Sequence, residues 1–269
     1  MSGLCCSGCG STDVVFDPKA RIVSCRQCGK QETYTRSTLN LSGEVVFAKD
    51  NAIRFFNQGD LSEAMHYARD VLNISKDNIP ALFIGGYYNE FVLGKTHAMA
   101  GVLEEICQMP DVLYDEVLDI QTLVLHGALN LVDYQTQILN FVWENMQDPQ
   151  DGCQLSDFID KICPYFISKE LTSEYLDDEL CDLYCKLVLH CDIPQTCFAL
   201  LSSIKKIADS PFRSDCFHLH ARCLSFQDTY IKRVGKILEA MKHTQIKDKF
   251  LIAYKQIEQE YSQRMEGVR

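Results

Sequence analysis

The chain has 269 residues, a hydrophobic content of 46% and a formal net charge of −11 at pH 7. This length and composition predict one sizeable globular body with a small appendage, and they exclude a disordered or fibrous protein. No apolar run reaches the roughly 18 residues of a membrane span, and the N-terminal residues do not resemble a signal peptide. The sequence therefore predicts a soluble, cytoplasmic protein with no membrane span.

The negative charge is unevenly distributed along the chain. Residues 1–36 are near +2 and residues 230–269 are near +4, so the body between them carries about −17. Non-specific nucleic-acid binding depends on neutralising the phosphates with basic side chains, so the acidic body is expected to bind nucleic acid poorly. Any nucleic-acid contact is therefore expected at one of the two basic ends.

Two Cys-x-x-Cys-Gly motifs lie close to the N-terminus. The first contains Cys6 and Cys9, and the second contains Cys25 and Cys28. So short a segment cannot bury enough apolar surface to fold alone, whereas four thiolates are a common ligand set for a structural Zn²⁺ ion. The motifs predict one structural zinc ion, with the glycine after each motif turning the chain at φ > 0. Cys5 would lengthen the first motif and is a less favoured ligand.

Three short β-prone runs accompany the motifs, over residues 13–16, 21–24 and 32–35, with a turn at 17–20. The order motif, hairpin, motif, strand resembles the zinc ribbon family, most closely the ribbon that begins archaeal and eukaryotic transcription factor B proteins. The resemblance covers about the first 36 residues and implies a ribbon fold. The matching residues are Cys6, Cys9, Gly10, Ser11, Val14, Val15, Asp17, Ile22, Val23, Cys25, Cys28 and Gly29.

The basic side chains of the ribbon leave two interpretations open. Ribbons of the resembling family dock on RNA polymerase, which makes Lys19, Arg21, Arg26 and Lys30 candidates for contacting polymerase or nucleic acid. The small excess of basic over acidic residues is also typical of an ordinary solvated surface. Because a four-thiolate site has no open coordination position, catalysis at the metal is not expected.

Helical periodicity with few strand signals follows the ribbon. The predicted domains are a zinc ribbon over residues 1–36, a linker over 37–43 and a helical domain over 44–269, with a subdivision near the loop at 148–152. The predicted helices cover residues 43–58, 61–72, 81–86, 98–107, 112–130, 132–147, 155–168, 173–191, 193–208, 214–243 and 246–265.

The first helix pair resembles a tetratricopeptide repeat. The residues that carry this resemblance are Ala52, Phe55, Gly59-Asp60-Leu61, Ala64 and Val71-Leu72. The pattern departs at Lys76, where the repeat usually has Pro, and at Ala48 and Asn51, which replace an aromatic residue and a Leu. The implied fold is mostly α: a small ribbon of three short strands followed by a tetratricopeptide-like array of roughly ten or eleven helices.

Such arrays bind a protein or peptide in a preformed groove by shape and charge. The groove candidates in this sequence are Asn51, Arg54, Tyr87, Asn89 and Asn130. The basic C-terminal helix, over 246–265, is either a terminal cap of the array or an arm that docks on a partner or a membrane surface.

A second group of cysteine and histidine residues lies late in the chain. Its i, i+4 spacings are compatible with a second metal site, whereas the surrounding leucines favour a hydrophobic core of reduced thiols. The group comprises Cys181, Cys185, His190, Cys191, Cys197, Cys216, His218, His220 and Cys223.

Two hypotheses about function remain. The first is a non-enzymatic, zinc-binding interaction or scaffold protein whose helical array binds a protein or peptide partner. The alternative is a transcription-linked protein whose ribbon contacts RNA polymerase or nucleic acid.

The sequence offers no clear catalytic constellation: Gly94-Lys95-Thr96 lacks the leading glycine of a phosphate-binding loop and follows a helical pattern.

Overall fold

The computed structural model describes residues 6, 8–17, 22–33, 43–110, 112–146, 152–168, 176–209, 217–242 and 245–266. In these residues it contains three β-strands and eleven α-helices, so the predicted mostly-α fold is confirmed. The chain forms two compact units, Met1–Gly127 and Ala128–Arg269. Of the predicted linker and of the loop at 148–152, only Gly43 and Gly152 are described, and each begins a helix. The domain boundaries drawn from the sequence stay predictions.

The N-terminal strands form one antiparallel sheet in the order β1-β2-β3. Strand β1 covers Val14–Asp17, β2 covers Ile22–Cys25 and β3 covers Gln31–Thr33. Val15 lies opposite Ser24, which in turn lies opposite Gln31. Each strand begins within one residue of its predicted position, because the apolar runs and the turn at 17–20 are local signals.

The described residues of unit 1 form five α-helices after the sheet. Their bounds are α1 Gly43–Asn57, α2 Leu61–Ile74, α3 Ile79–Tyr87, α4 Ala98–Cys107 and α5 Tyr114–Gly127. Helix α3 continues into one π-helical turn, Tyr88–Val92. The turn between α1 and α2 is the predicted one: Gly59 has a φ of +79°, and the Asp60 carboxylate accepts a hydrogen bond of 3.1 Å from the Glu63 N–H.

Helix α3 is the centre of unit 1. Every residue of α3 except Leu82 is buried, and the helix contacts α1, α2, α4 and α5. Glu116 of α5 is only 2% exposed, and its carboxylate accepts hydrogen bonds from the Ile79 N–H (3.4 Å) and the Leu113 N–H (3.1 Å). One buried carboxylate thus satisfies backbone donors at the N-termini of both α3 and α5.

Unit 2 begins with two 3₁₀ turns, Ala128–Asn130 and Val132–Tyr134. Its helices are α6 Gln135–Asn145, α7 Gly152–Ser168, α8 Asp178–His190, α9 Pro194–Asp209, α10 Phe217–Ala240 and α11 Gln245–Glu266. Helix α9 contacts α7, α10 and α11, and helix α8 contacts α6 and α10. Because Phe250, Tyr254 and Tyr261 are buried, α11 packs into unit 2 as a closing helix.

Polar contacts connect the long helices of unit 2. The guanidinium of Arg233 on α10 donates to the Leu176 carbonyl (2.6 Å) and to the Asp178 carboxylate (2.8 Å). The buried Lys247 ammonium donates to the carbonyls of Glu239 (2.6 Å) and Met241 (2.8 Å), which satisfies orphan acceptors at the C-terminus of α10. These bonds fix where α10 ends and α11 begins.

Helix α11 packs closely against Gly235 of α10. A Cβ atom at this position would lie 2.5 Å from Cζ of Tyr254, whose ring is buried. We expect Gly235→Ala to destabilise unit 2 by about 1–3 kcal/mol, because the ring cannot move aside without disturbing the core. Trp143 of α6 is the single tryptophan of the chain, so its fluorescence during urea unfolding reports on this unit.

Glu239→Ala on the same helix serves as the control, because the Glu239 side chain is exposed. An unfolding midpoint for Gly235→Ala equal to that of Glu239→Ala would contradict the close packing of α10 on α11.

Candidate metal centre

The sheet brings the sulfur atoms of both cysteine motifs together. The Sγ atoms of Cys6 and Cys28 lie 3.5 Å apart, those of Cys9 and Cys25 lie 3.6 Å apart, and all four lie within 4.8 Å of one another. Within the described part of the chain, this is the one group of three or more cysteine, histidine or acidic residues that can hold a metal ion. The four predicted ligands therefore form a single cluster.

The spacing of the sulfur atoms fits a bound ion better than disulfides. A tetrahedron with metal–sulfur bonds of about 2.3 Å has sulfur–sulfur edges of about 3.8 Å. The two shortest separations are close to that value and far from the roughly 2.05 Å of a disulfide. Four thiolates complete a tetrahedral site, so the arrangement is suited to holding a metal ion in place.

The two motifs fold as near copies of each other. In the first, the Gly10 N–H donates to the Cys6 carbonyl (2.8 Å) and the Cys6 N–H donates to the Ser11 carbonyl (2.9 Å). The second motif repeats both bonds at the corresponding positions, each with a length of 2.9 Å. Gly10 and Gly29 have φ values of +70° and +73°, which confirms the left-handed turns predicted from the sequence.

Two of the four predicted ligands are buried. Cys6 and Cys25 are the buried residues among those of the N-terminal segment whose burial is described, whereas Cys9 and Cys28 are exposed and Val15 points to solvent. These described side chains supply little hydrophobic stabilisation. A metal ion bound by the four thiolates would stabilise this segment by linking the two motifs.

Backbone amides and neighbouring sulfurs shift the thiol pKa values in opposite directions. The Gly8 N–H donates to Cys6 Sγ (3.4 Å) and contributes to lowering the pKa of Cys6 to about 7. The Ser11 N–H also lowers the pKa of Cys9, but partial loss of hydration and the nearby sulfurs outweigh this effect and raise the pKa to about 12. The metal-free cluster therefore retains protons at neutral pH.

We expect the apparent metal affinity of the cluster to rise with pH, because a metal ion must displace the proton of Cys9. Each proton released on binding makes the apparent affinity rise tenfold per pH unit. The rise should be at least about tenfold per pH unit between about pH 6 and about pH 8. Titration with Co²⁺, followed by its absorption, measures this dependence. An affinity that does not change with pH would contradict protonated thiols in the metal-free chain.

The late cysteine and histidine group has a different environment. Cys181 and Cys197 are buried, and burial raises the pKa of each thiol to about 12. Their Sγ atoms lie 3.8 Å from the Arg233 carbonyl and 3.7 Å from Met241 Sδ, so they pack as core side chains. Cys185, His190 and Cys191 do not join them in a metal cluster of described residues. Cys216 and the side chains of His218, His220 and Cys223 lie outside the described residues.

The predicted groove residues occupy different environments. Asn51 is 8% exposed, with its amide donating to the Phe47 carbonyl (3.0 Å), and Tyr87 is 6% exposed, with its ring against Phe56. The remaining three are at least partly exposed: Arg54 on α1, Asn89 in the π-helical turn and Asn130 in unit 2. Asn51 and Tyr87 thus contribute mainly to the core of unit 1.

The predicted basic residues of the ribbon are described only in part. Lys19 and Arg21 lie outside the described residues. Arg26 and Lys30 are exposed, and the Arg26 guanidinium is 4.0 Å from the Asp13 carboxylate. A pair this exposed is weak and leaves Arg26 accessible.

Sequence reasoning missed a cavity between α1 and α5. Its lining consists of Asp50, Ile53, Arg54, Asn57, Gln58 and Asp119. Asp119 forms an ion pair with Lys49, which is 70 residues away in the sequence. The available local signal was the exposed pair Asp50 and Arg54 on α1, with Gln58 directly after the helix, but the sequence did not indicate which helix would face them.

No protein-family model, curated protein or solved structure matches the chain. No described helix is both long enough and apolar enough to cross a membrane.

Proposed function

We propose that the chain is a non-enzymatic, zinc-binding interaction protein, in which a structural zinc ribbon accompanies a tetratricopeptide-like helical body that binds a protein or peptide partner. The zinc-binding part of this proposal is supported by the cluster of four Sγ atoms, which lie within 4.8 Å of one another. Soft thiolates in a tetrahedral arrangement favour Zn²⁺ or an iron–sulfur centre. Zinc is the better candidate because one ion satisfies all four ligands without redox chemistry.

The helix pairs of unit 1 support the second half of the proposal. Ala52 on α1 and Ala64 on α2 are fully buried, and the rings of Phe55 and Tyr67 stack with centroids 5.6 Å apart. Small residues at a helix contact with an aromatic pair beside it are what the resemblance to a tetratricopeptide repeat implies. Helices α3 and α4 form a second contacting pair.

The chemistry of the described thiols favours binding over catalysis. Burial raises the pKa of both Cys163 and Cys197 to about 12, and a protonated thiol is a poor nucleophile. In the ribbon, all four thiolates would be occupied by the metal, with no coordination position for a substrate. The proposed role is therefore interaction.

One observation favours the alternative, a ribbon that contacts RNA polymerase or nucleic acid. Arg26 and Lys30 are exposed on and beside the second cysteine motif, where a partner could reach them. Two cations supply little phosphate neutralisation, so this alternative requires further contacts from the partner.

We expect the wild-type chain to retain one zinc ion through gel filtration and Cys28→Ser to lose it, because a hydroxyl is a poor replacement for a thiolate ligand. Helical circular dichroism should be unchanged, since the described helices lie in residues 43–266, outside the four-cysteine segment. Metal analysis of the eluted protein provides the measurement. Cys107→Ser is the matched control, because Cys107 is exposed on α4 and outside the cluster. Equal zinc retention by both variants would contradict the proposed site.

The partner hypothesis is tested with the full-length chain in its native lysate, with and without nuclease. Arg26→Glu/Lys30→Glu reverses the ribbon charge, and Lys205→Glu/Lys249→Glu makes the same change at exposed positions of α9 and α11. We expect the same protein partners with all forms, with no effect of nuclease. Partners lost only with the ribbon variant, or removed by nuclease, would favour the alternative.

A further inference from the structure

The sulfur atoms of the four-cysteine cluster fall into two close pairs. Cys6 Sγ lies 3.5 Å from Cys28 Sγ, and Cys9 Sγ lies 3.6 Å from Cys25 Sγ, so each pair joins the first motif to the second. A disulfide bond is about 2.05 Å long, and each pair has to close by only about 1.5 Å to form one. Both bonds can form together, because they use each of the four sulfur atoms once.

Each pair contains one cysteine that a small oxidant can reach from solution. Cys9 and Cys28 are exposed, whereas Cys6 and Cys25 are each 3% exposed. The exposed sulfur of one motif thus lies beside the buried sulfur of the other motif. Cysteines that sense oxidants share this arrangement, in which an accessible sulfur lies next to a second cysteine that resolves the oxidised form.

We propose that the four cysteines are a site of reversible modification, at which a peroxide converts the metal-binding cluster into the disulfides Cys6–Cys28 and Cys9–Cys25. Cysteines that hold a metal ion are thiolates, and the thiolate is the form that attacks a peroxide. The inference rests on the proposed zinc-binding function. It deepens that function by naming the class of reactant that would release the ion.

The chemistry balances for each pair of cysteines. The exposed thiolate, that of Cys28 or Cys9, attacks one oxygen of hydrogen peroxide and becomes a sulfenic acid, while the other oxygen leaves as hydroxide. The buried thiolate of the opposite motif, that of Cys6 or Cys25, then attacks the sulfenic sulfur, which forms the disulfide and releases a second hydroxide. The two sulfur atoms together lose two electrons, and the peroxide gains them. Disulfide sulfurs carry no negative charge to hold a cation, so closing both pairs releases the ion.

The proposed disulfides keep the two motifs connected after the ion has left. The motifs flank strands β1 and β2, in which Val14 lies opposite Cys25. Bonds between the motifs would hold this hairpin closed, whereas bonds within each motif, Cys6–Cys9 and Cys25–Cys28, would leave the motifs unlinked. Reduction of the proposed disulfides would therefore return four nearby thiols to a hairpin that is still formed, and this makes the modification reversible.

Trypsin cleavage distinguishes the possible pairings. It leaves both cysteines of the first motif in the peptide 1–19, and it separates Cys25 from Cys28 by cutting after Arg26. Disulfides between the motifs therefore join peptide 1–19 to two different peptides of the second motif. Disulfides within the motifs would instead join those two peptides to each other.

The test treats the zinc-loaded, full-length chain with hydrogen peroxide. We expect loss of the bound zinc, measured with a chromogenic chelator, as peptide 1–19 becomes joined to both peptides of the second motif. Fragmentation spectra of the joined peptides should assign the bonds to Cys6–Cys28 and Cys9–Cys25. After the peroxide is removed, a phosphine reductant and added zinc should restore the original zinc content.

Two variants serve as controls for the other nearby or accessible thiols. Cys107→Ser removes an exposed cysteine of α4 outside the cluster, and Cys5→Ser removes the cysteine that shares peptide 1–19 with the first motif. Both variants should release zinc and form the same two bonds as the wild type. Zinc retained under peroxide, bonds within the motifs, bonds to Cys5 or Cys107, or sulfinic acids without disulfides would each overturn the inference.

The outcome also separates this inference from the proposed function. If the wild type elutes from gel filtration with zinc, and peroxide then gives bonds within the motifs, the oxidation site is overturned and the zinc-binding function stands. If the wild type elutes without zinc, and peroxide still joins Cys6 to Cys28 and Cys9 to Cys25, the proposed pairing is supported and the zinc-binding function is overturned.

Discussion

Helix α3 is apolar around its whole circumference, so it has to be covered by other helices on every side. Helices α1, α2, α4 and α5 all contact it, and α5 contacts α1 as well. Unit 1 is therefore arranged around one buried helix, and the buried carboxylate of Glu116 accepts hydrogen bonds from helix N-termini. The same arrangement buries Tyr87 and brings Asp119 of α5 beside Lys49 and Asp50 of α1. Core and cavity thus follow from one constraint.

The N-terminal sheet is expected to depend on a different source of stability from the helices. Among the side chains of the N-terminal segment whose burial is described, Cys6 and Cys25 are the buried ones, and a metal ion held by the four thiolates would supply stabilisation that the helices obtain from apolar packing. In the helical units, stability is spread over many buried side chains, with buried polar groups such as Glu116 and Lys247 satisfying helix ends. The two parts of the chain are therefore expected to respond to different changes: metal availability for the four-cysteine segment and core volume for the helices.

Local patterns allowed much of this architecture to be predicted. The four ligands and the two left-handed glycines follow from the spacing of the cysteine motifs, and the helices follow from apolar periodicity. Contacts between distant residues could not be predicted in the same way. Neither the bond of Glu116 to Ile79 nor the pair of Lys49 with Asp119 has a local signal. Asn51 shows the same limit, because a repeat pattern does not fix which helix face becomes buried.

Cluster geometry also has a kinetic consequence. Each of the two closest sulfur pairs joins one buried cysteine to one exposed cysteine, since Cys6 pairs with Cys28 and Cys25 with Cys9. A competing thiol or chelator would reach an ion held by this cluster from the side of the exposed ligands, Cys9 and Cys28. Dissociation is therefore expected to proceed stepwise, with Cys9 or Cys28 leaving first and the buried pair holding the ion last. The rate of metal exchange at such a site depends on how accessible these two ligands are. It does not depend directly on the equilibrium affinity of the four ligands together.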